Sequence, residues 1–279
     1  LAGLPAPARP DMETGPGDDA AVLIDPGAEP ARRQVLTTDH FRAFTLDPAL
    51  LARIAAIHAL GDIWAMRASP RAALCSIVLP DASAALQRRM LDEILAAAQP
   101  VLDAAGAALA GGHTSLGSEL TLGFTVLGEM NGRAPTRLDA ARPGDRLVLT
   151  KPIGAGVILA GEMRGLARGR DWADAMHSLQ ASSAAAASVL AERAHAMTDV
   201  TGFGLAGHLA ALCEASGCAA VLELDTVPLL NGALDLARAG VRSSIWPDNA
   251  RVLADAAIDA DLVGDPRVDL LADPQTAGG

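Results

Sequence analysis

Aspartates are the residues here whose type and spacing could do chemistry. Asp18 and Asp19 precede the apolar run Ala20–Ile24, Asp39 closes the run Gln34–Thr38, Asp62 lies on a helix-patterned stretch, and Asp199 follows Met197-Thr198. Side chains alternate along an extended chain, so at most one of Asp18 and Asp19 readily faces a given site. Asp62 comes four residues after His58, which puts both on one helical face. That face continues an apolar stripe, and a buried aspartate is costly unless it is paired or bound to a cation. Several such carboxylates converging would suit Mg²⁺, a hard ion that takes carboxylates together with substrate phosphates. For any one of them a role as a cap or turn residue stays open, and for His58 that of a hydrogen-bonded core histidine.

Two glycine clusters come next. Ala110-Gly111-Gly112-His113-Thr114-Ser115 reads as a turn whose backbone could approach a ligand closely and whose N–H groups could hold phosphate oxygens, or as an ordinary turn. Gly202-Phe203-Gly204-Leu205-Ala206-Gly207 matches the dinucleotide pattern GxGxxG, with Glu223 about 20 residues on. The segment before it, Met197–Thr201, is short and polar, and Asp199 would repel a pyrophosphate. We therefore read these glycines as packing residues. There is no GxxxxGK[ST], HExxH, zinc-ligand spacing or GxSxG in the chain.

The elements that must position these residues follow from periodicity. Asp47-Pro48 caps a helix running to Met66, with apolar residues at helical spacing. Leu74–Leu79 and Glu119–Leu127 read as strands, and Ala82–Ala105 as a long helix ended by Gly106. The turns at 131–135 and 142–145 mark a boundary. We expect 1–17, with its four prolines, to be linker or loop, 18–140 to be a first domain and 141–279 a second, incomplete one. In the second half we expect strands at Arg146–Thr150, up to Asp199 and at 219–225, and helices near 155–165, 172–193, 204–216 and 231–239. Alternating strands and helices give an α/β or α+β class.

The 279 residues suffice for about two domains. Hydrophobic residues make up 51% and aromatics 3%, with no Tyr, so the core must be aliphatic. The net charge of −11 argues against nucleic acid or an anionic membrane surface as partner. Lys151 is the only lysine, so a bound polyphosphate must be neutralised by something else. Cys75, Cys213 and Cys218 form no CxxC and sit in apolar runs, which we read as buried thiols of a cytoplasmic protein. No uninterrupted apolar stretch approaches the ~20 residues of a membrane span, and Leu1-Ala2-Gly3 opens a Pro-rich segment without a basic n-region. A start without Met and a stop at Gly278-Gly279 lead us to expect a piece of a longer protein.

Taken in order, several blocks resemble the selenophosphate synthetase (selenide, water dikinase) family. They are Asp18-Asp19-Ala20-Ala21-Val22, Thr37-Thr38-Asp39, Arg53-Ile54-Ala55-Ala56 with Asp62-Ile63-Trp64-Ala65-Met66, Gly111-Gly112-His113-Thr114, Thr150-Lys151-Pro152-Ile153-Gly154, Thr198-Asp199-Val200-Thr201-Gly202-Phe203-Gly204-Leu205, and Asp273-Pro274-Gln275-Thr276-Ala277-Gly278-Gly279. The resemblance implies the two-domain fold of the aminoimidazole-ribonucleotide synthetase superfamily, its N-terminal domain dimerising through a shared β-barrel. It implies that ATP, selenide and water yield selenophosphate, AMP and phosphate. It further implies Asp19, Asp62 and Asp199 as Mg²⁺ ligands, and Asp18, Asp39 and Asp62 at ATP. Gly112, His113 and Thr114 would reach ATP across the homodimer, and Mg²⁺ rather than lysine would neutralise the triphosphate.

Phe41-Arg42-Ala43-Phe44 and His58 resemble a subgroup fused behind a dehydrogenase-like domain. The chain departs from the family at the catalytic Cys (or selenocysteine) and Lys of a Gly-rich N-terminal loop, since residues 1–17 contain neither. Ile57-His58 also stands where the family's helix carries an Asn. We expect the intact protein to be the synthetase and this stretch alone to turn over little. The alternatives are another superfamily phosphotransferase, such as a thiamine-phosphate kinase or a hydrogenase-maturation ATPase, and a non-catalytic nucleotide-binding dimer module.

Overall fold

The computed structural model describes residues 9–25, 27–28, 32–132 and 134–279. The chain divides into two units. Unit 1 takes residues up to Arg137 together with Ser182–Met197, and unit 2 takes Leu138–Ala181 and Thr198–Gly279. Residues 1–8 of the expected linker lie outside the described residues, and Met12–Thr14 within it forms a short strand.

Unit 1 is a six-stranded sheet with helices on one face. Its elements are β1 (Met12–Thr14), β2 (Ala21–Asp25), β3 (Arg32–Arg42), α1 (Pro48–Ala65), β4 (Ser69–Pro80), α2 (Ala84–Ala104), β5 (Ala108–Gly117) and β6 (Thr121–Asn131). The strand order is β1-β2-β3-β6-β4-β5. All pairs are antiparallel except β4–β5, which α2 connects as a parallel crossover. The sheet is open, with β1 and β5 as its edges. Closure into a barrel is not seen within one chain.

Helix α1 starts where Asp47 Oδ1 accepts from the N–H groups of Ala49 and Leu50 at 2.9 and 3.0 Å, with Pro48 at the first position. It has the length and apolarity of a membrane span, yet most of it is buried against β3, β6 and α2. Val35, Phe124 and Val126 of the sheet, Leu60 and Ile63 of α1, and Ile94 and Leu102 of α2 share this core. The opposite sheet face exposes Leu36 and Leu74.

Gly111-Gly112-His113-Thr114, expected as a turn, lies inside β5. A Cβ at Gly112 would fall 1.9 Å from the Cys75 carbonyl oxygen, so the close strand pairing itself demands glycine there. Cys75 is buried as expected, and burial pushes its thiol up to about 12; Cys213 and Cys218 are instead only half-buried.

A seven-residue helix, α5 (Ala184–Leu190), returns to pack on α1. The single helix expected near 172–193 is therefore broken at residues 180–183, and its second part joins unit 1. Unit 2 carries α3 (Ala155–Met163), α4 (Gly169–Leu179), α6 (Gly204–Ser216), α7 (Ala233–Arg238), α8 (Trp246–Asn249) and α9 (Pro266–Leu271). Among its described residues the strands expected at 146–150, up to 199 and at 219–225 do not form, and the only β-pairing is the bridge Ile153–Leu229. Apolar runs such as Leu147-Val148 and Val221 stay exposed because no neighbouring strand gives them a ladder.

Candidate functional site

The site in unit 1 grows from the pairing of β3 with α1. Alternation along β3 turns Thr37, Asp39 and Phe41 to the helix side and leaves Leu36, Thr38 and His40 exposed. On α1, His58 and Asp62 stand one turn apart on the facing side. Two contacts result. The Thr37 hydroxyl donates to Asp62, and His58 Nε2 faces Asp39 Oδ1 at 3.7 Å.

Burial acts to raise the Asp39 carboxyl, but its contacts with His58 and then Asp62, together with the pull of His40, hold it below the usual carboxylate range. At 3.7 Å the His58 contact is an electrostatic attraction longer than a full hydrogen bond. From the turn before β2, Asp19 brings a carboxylate oxygen within 4.8 Å of one on Asp62, both side chains half-buried. Asp18 Oδ1 accepts from the Asp19 N–H at 3.0 Å and shapes the turn that presents Asp19.

Asp19 and Asp62 thus come together in unit 1, with Asp39 in contact with Asp62. The Asp19 and Asp62 donors are carboxylate oxygens, half-buried and net negative, which fits Mg²⁺ rather than a soft metal. Gly112, His113 and Thr114 do not join them. Asp39 is level with Gly112 through Phe124 and Cys75, but three strand steps separate them, about 14 Å at ~4.8 Å each. All three lie exposed on the edge strand.

In unit 2, Asp199 sits in a loop ahead of α6, tied down by a residue the sequence analysis did not single out. His208 Nε2 accepts from the Thr201 N–H at 3.0 Å, and its Nδ1 lies 3.3 Å from the Thr198 hydroxyl. Accepting at Nε2 places the ring proton on Nδ1. A histidine in the second turn of a helix that follows a Gly-rich loop was the available signal. Lys151 lies close enough to Asp199 to feel its charge; burial lowers the ammonium to about 8, partly offset by Asp199. Lys151 Nζ donates to the Ala277 carbonyl at 2.7 Å.

The motif Asp273-Pro274-Gln275 forms a clamp. Gln275 Oε1 accepts from the N–H groups of Gly154 and Ala155 at 3.0 and 3.1 Å, and the Pro274 carbonyl accepts from Gly156 at 3.0 Å. These bonds satisfy the orphan donors at the start of α3. Of the GxGxxG glycines, Gly204 packs closely against another segment, whereas a Cβ at Gly202 would meet nothing within 4 Å. Gly204, at φ +72°, approaches the backbone of Leu271–Asp273 so closely that a Cβ would fall 2.8 Å from it.

Comparisons with known proteins agree along the length of the chain. Residues 17–130 match the N-terminal domain of AIR synthase related proteins, and residues 142–243 match their C-terminal domain. A selenide, water dikinase of Trichlorobacter lovleyi is 36% identical over 283 residues, spanning 100% of this chain and 80% of that protein. One of Bordetella bronchiseptica is 36% identical over 273 residues, spanning 94% and 74%. Among solved structures, thiamine-monophosphate kinase from Stenotrophomonas maltophilia matches with a TM-score of 0.68 at 23% identity, covering 97% of this chain and 80% of that one. A hydrogenase maturation protein in complex with ATP matches at 0.63 and 20%, covering 98% and 82%. At these identities the two structures speak to the fold alone.

Proposed function

The chain belongs to the AIR synthase related family and, within it, to the selenide, water dikinases, and from that premise we propose that it binds ATP with Mg²⁺ and forms selenophosphate from ATP, selenide and water, releasing AMP and phosphate. One observation carries the reading. Similarity along the whole chain coincides with carboxylates drawn together from a turn, a strand and a helix.

In this reading Asp19 and Asp62 hold Mg²⁺, with Asp199 as a further ligand, and Asp18 and Asp39 shape the nucleotide side of the site. Bound Mg²⁺ would neutralise the triphosphate and stabilise charge on the transferring phosphoryl group, which lysine cannot do in a chain that has only Lys151. Gly112, His113 and Thr114 would serve the nucleotide of a second copy. Their distance from Asp39 along the sheet supports this, as does the exposure of residues 111–116 on β5, an edge strand available for pairing. Cytoplasmic residence fits three free thiols.

Residues 1–17 carry no cysteine or lysine, so turnover by these 279 residues alone is expected to be slow, and the decisive test is one of binding. A non-hydrolysable ATP analogue at about 100 times its Kd should stabilise the native state by about 2.7 kcal/mol, raising Tm by several degrees with Mg²⁺ and not with EDTA. Asp62→Ala should abolish that rise while keeping the unliganded Tm within a few degrees. Equal stabilisation with and without Mg²⁺, or in Asp62→Ala, would refute the carboxylate site.

A further inference from the structure

His58 has no part in the reading above, yet its placement is specific. It is buried on α1 one turn before Asp62. Its ring packs on Phe41 with centroids 4.5 Å apart, and this contact fixes the plane in which its nitrogens lie. Nε2 lies 3.7 Å from Asp39 Oδ1. Leucine or phenylalanine would fill the same space beside Phe41. What the imidazole adds is a nitrogen facing a carboxylate.

Asp39 gains from such a partner, because the Asp62 carboxylate is in contact with it and the His40 beside it is exposed. Two carboxylates in contact repel once both are ionised. Left alone, Asp39 would relieve the repulsion by turning to solvent, since its side chain is 32% exposed whereas that of His58 is 8%. The buried ring cannot follow it outward, so the attraction works in one direction and draws Asp39 back beside Asp62.

We infer that His58 is a positioning residue of the nucleotide site, holding the Asp39 carboxylate beside Asp62 and so setting how much Mg²⁺ the protein needs to bind nucleotide. The inference rests on the roles proposed above for Asp39 and Asp62.

The test titrates Mg²⁺ at a fixed concentration of a non-hydrolysable ATP analogue, reading bound analogue, with melting curves to confirm folding. Four variants are compared with the parent: His58→Gln, which keeps an N–H where Nε2 was, His58→Leu, which fills the space without one, Asp39→Asn, and the His58→Leu/Asp39→Asn pair. Losing this attraction to a carboxylate should raise the Mg²⁺ midpoint of His58→Leu about threefold to fivefold, and that of His58→Gln less than about twofold. In the Asp39→Asn background, His58→Leu should add nothing. If His58→Leu does not fold, His58→Asn replaces it, since its amide is too short to reach Asp39, and it must show the same rise.

An unchanged midpoint in the variant lacking the donor overturns the inference. So does an equal rise in the Gln and Leu variants, or an effect that persists when Asp39 is already Asn. A parent that binds the analogue without Mg²⁺ dependence overturns the functional reading and the inference together. A Mg²⁺-dependent parent matched by its variants overturns the inference alone.

Discussion

At the scale of single residues, the chain keeps ionisable groups where water is scarce and supplies each with a particular surrounding. Asp273 is 1% exposed. Burial raises its carboxyl to about 7, against the opposing pull of the Val157 N–H, Gln275, the Gly156 N–H and Arg242. Its Oδ1 has no partner at full hydrogen-bond geometry among the described residues. A carboxyl whose folded pKa lies above its unfolded value holds its proton in the native state. Its contribution to stability is fully present below about 4 and is lost as pH rises through about 7. Asp273→Asn should remove that loss. Between pH 5 and 8 the parent's Tm should fall more steeply than the variant's, and above pH 7 the variant should melt several degrees higher. Parallel curves would show that Asp273 is ionised throughout.

Aspartates at 19, 39 and 62 were legible as candidates because type and spacing are properties of the sequence. Their meeting was not, because it depends on which face of β3 lies against which face of α1. What His208 and Gln275 do was not legible for a related reason. Each acts through hydrogen bonds to backbone groups brought near by a turn or from about 120 residues away, and backbone donors leave no trace in a sequence.

At the scale of elements, α1 and α2 end alike with one exception. In each, the last turn closes in a Schellman motif: Ala68 N donates to Ile63 O at 2.9 Å after α1, and Ala107 N to Leu102 O at 2.9 Å after α2. The left-handed position is Gly106 in α2, at φ +80°, but Arg67 in α1, at φ +64°. A side chain there costs about 1–2 kcal/mol, and Arg67 Nε is also buried with no hydrogen-bond partner. Arg67→Gly should therefore stabilise unit 1 by about 1 kcal/mol, after allowing for the greater freedom of glycine in the unfolded chain. The check is a Tm about 2–4 °C higher.

Helix α1 was readable because Asp47-Pro48 and an apolar run all point to one element. Strand β5 was not. Ala108–Gly117 is rich in Ala and Gly, has no alternation and is largely exposed, so only pairing with β4 makes it a strand. In unit 2 the converse holds, for apolar runs with good strand character stay unpaired. Strand identity in this chain is thus decided by partners that local sequence does not name.

At the scale of the whole molecule, a sheet with one covered face and one bare face sets the expectation. Leu36 and Leu74 are 42% and 49% exposed, and β5 offers an unpaired edge. We expect a second copy to cover this face. Leu36→Glu with Leu74→Glu should then shift sedimentation at micromolar concentration from dimer to monomer while circular dichroism stays unchanged. A monomeric parent would refute the pairing and, with it, the proposed sharing of His113 across subunits.

The clamp on α3 bears on how the protein is made. The N–H groups of Gly154, Ala155 and Gly156 are satisfied by Pro274 and Gln275. A ribosome delivers those two residues long after the helix they close. During synthesis the strands of unit 1 are all available once residue 131 has emerged, whereas α3 waits with bare donors for the arrival of residue 275. A nascent chain halted shortly before that point would carry an assembled sheet and an unclosed α3, open to chaperones and proteases until residues 274 and 275 arrive.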